Sequence, residues 1–145
     1  MLGESTDGGT GGGAGAGPTI LVVDDSEAIR LGLQIVLRLN DYRVLLARDG
    51  GEGVRMAAEE RPALVLLDMM MPGVDGPETV RQLRADPRTR RIPLVAITAT
   101  VGHTPEELRG LGFDSSLRKP FGAERLLEVI EALLPVPASS SPCDD

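Results

Sequence analysis

The sequence predicts a doubly wound α/β sandwich, a parallel sheet covered by helices on both faces. Three observations predict it. Short apolar runs alternate five times with segments of helical period. The runs at 20–23, 63–67 and 94–97 are almost continuously apolar, as strands buried on both faces are. Chemically active side chains stand at the carboxyl ends of the runs: Asp24 and Asp25, Asp68, Thr98, and Lys119 after a weaker run at 115–118. Ligand sites of open α/β sheets lie outside those strand ends.

The elements follow in order. The first strand spans 19–23 and leads into a helix at about 26–39. That helix carries two apolar stripes, Ile29, Leu33, Val36 and Leu37, and beside them Leu31, Ile35 and Leu39. Its polar face (Glu27, Arg30, Gln34, Arg38) is narrow. Such a helix is either deeply packed or partly a docking surface, and burial is the preferred reading. The strand at 43–47 is flanked by Arg43 and Arg48, which suits a sheet edge. A helix at about 51–60 precedes the third strand at 63–67. A turn, Gly73-Val74-Asp75-Gly76, feeds the helix at 76–85. After the strand at 94–97, the helix at 104–111 opens on Thr104-Pro105-Glu106-Glu107, a capping box with proline in its first turn. The last helix, 122–134, sets Leu126, Ile130, Leu133 and Leu134 at helical spacing. Right-handed crossovers then give a three-layer sandwich of five βα units. The flavodoxin-like strand order 2-1-3-4-5 puts strands 1 and 3 side by side, and so Asp24 and Asp25 beside Asp68.

Composition bounds the domain. A chain of 145 residues suits one domain with a real core. Tyr42, Phe113 and Phe121 are its only aromatics, so that core is expected to be aliphatic. Residues 1–17 are mostly glycine and read as a disordered tail, 18–135 as the folded domain, and 136–145 as a second, Ser/Pro-rich tail. The glycine string at 9–17 superficially resembles a dinucleotide fingerprint, but it precedes the first strand instead of following it. No stretch is long and apolar enough to span a membrane and no signal peptide opens the chain, so the expected location is the cytoplasm. The lone Cys143 reads as an exposed thiol without function. A net charge of −7 argues against a direct nucleic-acid binder. One local exception, Arg81, Arg84, Arg88, Arg90 and Arg91, is either a solvated helix end or a docking patch for an acidic partner, with the first preferred.

Three carboxylates, a hydroxyl and an ammonium at one edge point to a hard cation and an anionic group, most simply Mg²⁺ and a phosphoryl group. Asp24-Asp25, Asp68-x-x-Met71-Pro72-x-x-Asp75-Gly76, Thr98-Ala99 and Lys119-Pro120-Phe121 follow the first, third, fourth and fifth strands. In these motifs the chain resembles the receiver domain of two-component response regulators, of the single-domain chemotaxis-regulator type, over about residues 19–135. The resemblance implies that Asp68 accepts a phosphoryl group from a histidine kinase or histidine phosphotransfer protein. It implies Mg²⁺ held by Asp25, Asp68 and the backbone carbonyl of Met70, with Asp24 acting largely through water. Lys119 would pair with a phosphoryl oxygen and Thr98 would donate its hydroxyl to another. It further implies a cis Lys119–Pro120 bond, and phosphodonor docking near the first helix. Such a protein is a signalling switch with self-catalysed transfer and slow hydrolysis, acting through protein contacts or onward relay.

The chain departs from the family at Ser116, three positions before the lysine, where many receivers carry an aromatic residue. Output through the fourth helix, fifth strand and fifth helix is therefore in question. Met69, Met70 and Met71 read as packing and His103 as a solvated loop residue. Two rivals remain. The chain could be a receiver from a hybrid kinase or a transcription factor, although the tail ending at Asp145 shows no linker or DNA-binding pattern. A haloacid-dehalogenase-like phosphatase needs an Asp two residues after its nucleophile, where this chain has Met70.

Overall fold

The computed structural model describes residues 17–69, 76–99 and 103–134. Strands β1 (Thr19–Val23), β2 (Arg43–Ala47), β3 (Leu64–Asp68), β4 (Leu94–Thr98) and β5 (Ser115–Arg118) alternate with five helices. These are α1 (Glu27–Leu39), α2 (Gly50–Glu60), α3 (Gly76–Ala85), α4 (Pro105–Leu111) and α5 (Ala123–Leu133). The strands form one parallel sheet in the order β2-β1-β3-β4-β5, the order expected, with β2 at an edge. The segments 1–16, 70–75, 100–102 and 135–145 lie outside the described residues, and with them the glycine string up to Ala16, Met70, Met71, Asp75 and Cys143. Gly17 donates its N–H to the Asp41 carbonyl at 2.8 Å.

Two strands run one residue past the apolar pattern. Asp68 pairs in register with Ile97, and Thr98 with Arg118, so both polar residues are strand residues rather than the first loop residues. Three helices start one residue late, two of them for the complementary reason. Ser26 and Thr104 are extended N-caps, their hydroxyls accepting from the N–H of Ile29 and of Glu107. The predicted capping box is complete, with Glu107 reaching back to the Thr104 N–H at 2.9 Å.

Successive strand side chains face opposite sides of a sheet. Ile20, Val22, Leu64, Leu66 and Ile97 therefore pack under α1 and α5, against Leu33, Leu37, Leu126 and Ile130. Leu21, Val23, Leu67, Leu94 and Ala96 pack on the other face, against Ala57 of α2, Val80 and Leu83 of α3 and Leu108 of α4. Burying each such Leu or Ile contributes roughly 1.5–3 kcal/mol. The core is aliphatic apart from Phe113, which is 3% exposed.

Helix α1 corrects one expectation. Leu33 and Leu37 are buried, with Ile29 and Val36 packed beside them. The second stripe is not: Leu31, Ile35 and Leu39 are 47%, 59% and 78% exposed. A single sheet face accepts only one side of a helix, and the two stripes together are wider than that side.

The arginine cluster also resolves into separate parts. Arg81 pairs with Glu78, and Arg88 with Asp86 at 2.8 Å. Arg84, 26% exposed, is held within the fold. Its Nε and Nη2 donate to the Gly112 carbonyl at 3.0 and 2.7 Å, and its Nη1 to the carbonyls of Arg90 and Ile92 at 2.6 and 2.8 Å. Its Nη2 also meets Asp114 Oδ2 at 2.9 Å. It thereby ties α3 to the segment before β4 and to the α4–β5 turn. Gly112 ends α4 with φ 119°, and a Cβ there would come within 2.9 Å of Val80 Cγ1, so glycine is required twice over.

Candidate functional site

The site is built on the carboxyl edge of the sheet. Pairing of β1 with β3 runs to Val23 opposite Leu67, so the next residues, Asp24 and Asp68, stand side by side. Carboxylate oxygens of Asp24, Asp25 and Asp68 all lie within 4.8 Å of one another. Asp24 is 0% exposed and Asp68 2%, whereas Asp25 is exposed. The β1–α1 turn is held by bonds to Asp24. Its N–H donates to the Ala47 carbonyl at 3.1 Å, its Oδ1 accepts from the Ser26 N–H at 2.9 Å, and its carbonyl accepts from Arg30 Nη1 at 2.7 Å.

The electrostatics are unbalanced. Asp24 Oδ2 is buried and has no hydrogen-bond partner among the described residues. Burial raises the Asp24 pKa above its ordinary 3.8, and the neighbouring Asp68 carboxylate raises it further; the Ser26 N–H and Lys119 act in the opposite direction. Lys119 Nζ lies 3.7 Å from Asp68 Oδ2. One ammonium against three carboxylates leaves two formal negative charges in the cluster. A buried acceptor without a donor, in an all-oxygen set, fits a hard divalent cation such as Mg²⁺.

Lys119 reaches the site because β5 ends one residue before it and its N–H donates to the Thr98 carbonyl at 2.8 Å. The Lys119–Pro120 bond is cis. Thr98 closes β4, 5% exposed, one residue beyond the partner of Asp68, and its hydroxyl makes no hydrogen bond to another described residue. Met70 lies outside the described residues, and His103 is exposed on the approach to α4. Ser116 sits half-buried opposite Ala96 and lines a cleft of about 260 Å³ with Leu108 and Phe113.

Two features escape sequence reasoning. Arg30 reads as part of a solvated polar face, yet it turns back onto the Asp24 carbonyl. A groove of about 400 Å³ runs from Ile29 and Val36 of α1 past Lys119 and Phe121 to Leu126 of α5. Helical period marks the apolar residues but not the gap between two helices that never meet in sequence.

Comparison with known proteins agrees with this geometry. Residues 20–131 match the sequence family described as the response regulator receiver domain. The chain is 44% identical over 117 residues to the response regulator MprA of Mycobacterium leprae, covering 79% of this chain and 50% of that protein. It is 40% identical over 119 residues to RpaA of Synechocystis, described as a DNA-binding dual master transcriptional regulator, covering 81% and 49%. The chain thus spans about half the length of the curated relatives it matches. Among solved structures, it is similar to the receiver domain of the sensor histidine kinase PA1611 of Pseudomonas aeruginosa, with TM-score 0.74 and 33% identity over 81% of this chain and 98% of that one. That structure is described with a magnesium ion coordinated in the active site cleft. The chemotaxis response regulator CheY4 of Vibrio cholerae matches with TM-score 0.74 and 31% identity over 81% and 98%.

Proposed function

The chain belongs to the response regulator receiver family of two-component signalling, and from that premise we propose that it is a phosphoryl-accepting switch with Asp68 as the acceptor. The observation that carries the reading is the buried Asp68 carboxylate within 4.8 Å of two other carboxylates and 3.7 Å from Lys119 Nζ. A nucleophilic carboxylate needs its repulsion toward a phosphodonor screened. Asp24, Asp25, Asp68 and the Met70 carbonyl would hold Mg²⁺, which supplies that screening when bound. An oxygen of Asp68 attacks the phosphorus of a phosphohistidine. The P–O bond forms as the P–N bond breaks, and the imidazole leaves with the nitrogen's electron pair. Lys119 exchanges its contact with Asp68 for a phosphoryl oxygen, and the Thr98 hydroxyl donates to another. The chain itself catalyses this transfer and the slow hydrolysis of the acyl phosphate.

The donor is a histidine kinase or a histidine phosphotransfer protein. Its docking site is the exposed stripe of α1 with the adjoining groove that leads to Lys119. Output passes to a downstream protein, without direct binding of nucleic acid or membrane, and the location is the cytoplasm. The charge of −7 supports the first exclusion. Among the described residues no helix is long and apolar enough to cross a membrane. A second reading, a receiver portion of a larger regulator, is favoured by coverage of only 50% of MprA. Sequencing the native reading frame decides between them.

The test uses a small phosphodonor and a phosphorylated histidine protein in parallel, each with Mg²⁺. Wild type should be labelled by both, and Asp68→Asn by neither. Ile35→Glu should lose labelling from the protein donor and keep it from the small one. Equal labelling of Asp68→Asn would move the acceptor elsewhere.

A further inference from the structure

The opposite, amino edge of β4 carries a feature that the phosphoryl chemistry does not use. A groove of about 600 Å³ lies between the segment before β4, the end of α4 and the end of α5. Four arginines line it, Arg84, Arg90, Arg91 and Arg109, against one acidic residue, Asp114. Asp114 is already engaged by Arg84 at 2.9 Å. The side chains of Arg90, Arg91 and Arg109 make no ion pair or hydrogen bond with any described residue, and all three are exposed. Three uncompensated positive charges thus face one groove on a chain whose net charge is −7.

The groove is also rigid and partly apolar. Arg84 pins both walls by bonding the carbonyls of Arg90, Ile92 and Gly112, so the walls need no ordering when a ligand arrives. Pro93 and Leu133, both half-buried, also line the groove and offer apolar contact. A second cleft of about 260 Å³ shares Arg109 and Phe113 and extends the surface to Ser116 and Arg125. An extended segment would therefore meet both positive charge and apolar contact.

We propose that this groove docks an acidic, partly apolar peptide segment of a partner protein. Nucleic acid offers the same anionic chemistry, but its uniform charge has no use for Pro93 and Leu133 and is repelled by the rest of the surface. A carboxylate-bearing peptide satisfies both the charges and the apolar contacts.

The test is a titration of the full chain, followed by amide NMR, with three probes: a peptide alternating Glu and Leu, the same peptide with Gln for Glu, and a short oligothymidylate. The Glu peptide should shift amides at 90–94, 109–114 and 133, and weaken as salt is raised. The double variant Arg90→Gln/Arg109→Gln should weaken it about tenfold, as expected for loss of two partly exposed ion pairs. Arg81→Gln, outside the groove, should leave it unchanged. Wild-type affinity in the double variant, equal binding of the Gln peptide, or tighter binding of the oligonucleotide at the same amides would each overturn the proposal. The amide spectrum of each free variant reports whether its fold is intact.

Discussion

The two edges of one sheet handle charge in opposite ways. At the carboxyl edge Asp24 is buried with an oxygen that no described donor meets, beside Asp68 and Asp25. At the amino edge Arg84 is spent on internal carbonyls and one carboxylate. The first edge is left unbalanced and gains from an added cation; at the second, Arg84 is satisfied within the chain, while the exposed Arg90, Arg91 and Arg109 beside it are left for an anionic partner. Polar residues in a sandwich of this kind are thus structural where their partners lie within the chain and functional where the partner has to arrive from outside.

Substitution should separate the edges by sign. Arg84→Ala removes the guanidinium donor from three carbonyls and from Asp114, which keeps only the Leu94 N–H. It should cost about 2–4 kcal/mol of stability in urea unfolding. Asp24→Asn, measured in chelator, should do the reverse and stabilise the fold by about 1–2 kcal/mol. Asp24 has a folded-state pKa raised above 3.8, chiefly by burial. Its stabilising contribution is present below the unfolded value and lost as pH rises through the folded one. Above that folded value the metal-free protein has lost it, and asparagine cannot. A destabilised Asp24→Asn would show that the carboxylate is satisfied without metal, and the contrast between the edges would fail.

Magnesium binding sharpens the same point. Protons compete with the ion at Asp24, so affinity should fall on acidification from a pH above that of an ordinary carboxylate with pKa 3.8. Magnesium titrations followed by amide NMR at several pH values read this directly, since the chain has no tryptophan for intrinsic fluorescence. Asp24→Asn should flatten the dependence. A profile as steep in the variant would assign the competing proton to another group.

The smallest expected effect concerns Ser116, which lines a cleft of about 260 Å³. Burying an aromatic ring contributes roughly 1.5–3 kcal/mol, within the range of coupling energies of about 1–3 kcal/mol. Activation by beryllofluoride, a phosphoryl mimic, should therefore move the amides of β5 and α4 less in wild type than in Ser116→Tyr. Equal movement in both would mean that the serine protein couples its edge to α4 and β5 without a ring.

The sequence by itself determined the alternation of elements, the strand order and the convergence of Asp24, Asp25, Asp68 and Lys119. These follow from local rules: a period of two or 3.6, a cap, and a crossover of one hand. The fate of several charged and apolar helix side chains was decided by tertiary structure. Arg84 and Arg81 stand three positions apart on one helix, yet one clamps the Gly112 carbonyl and the other meets only Glu78. Leu33 and Ile35 are two positions apart, yet one is buried and the other 59% exposed. Period places a residue on a face, but only the neighbours that fold against that face decide whether water, a carbonyl or a partner satisfies it. Those neighbours come from distant parts of the chain: Gly112 lies 28 residues beyond Arg84.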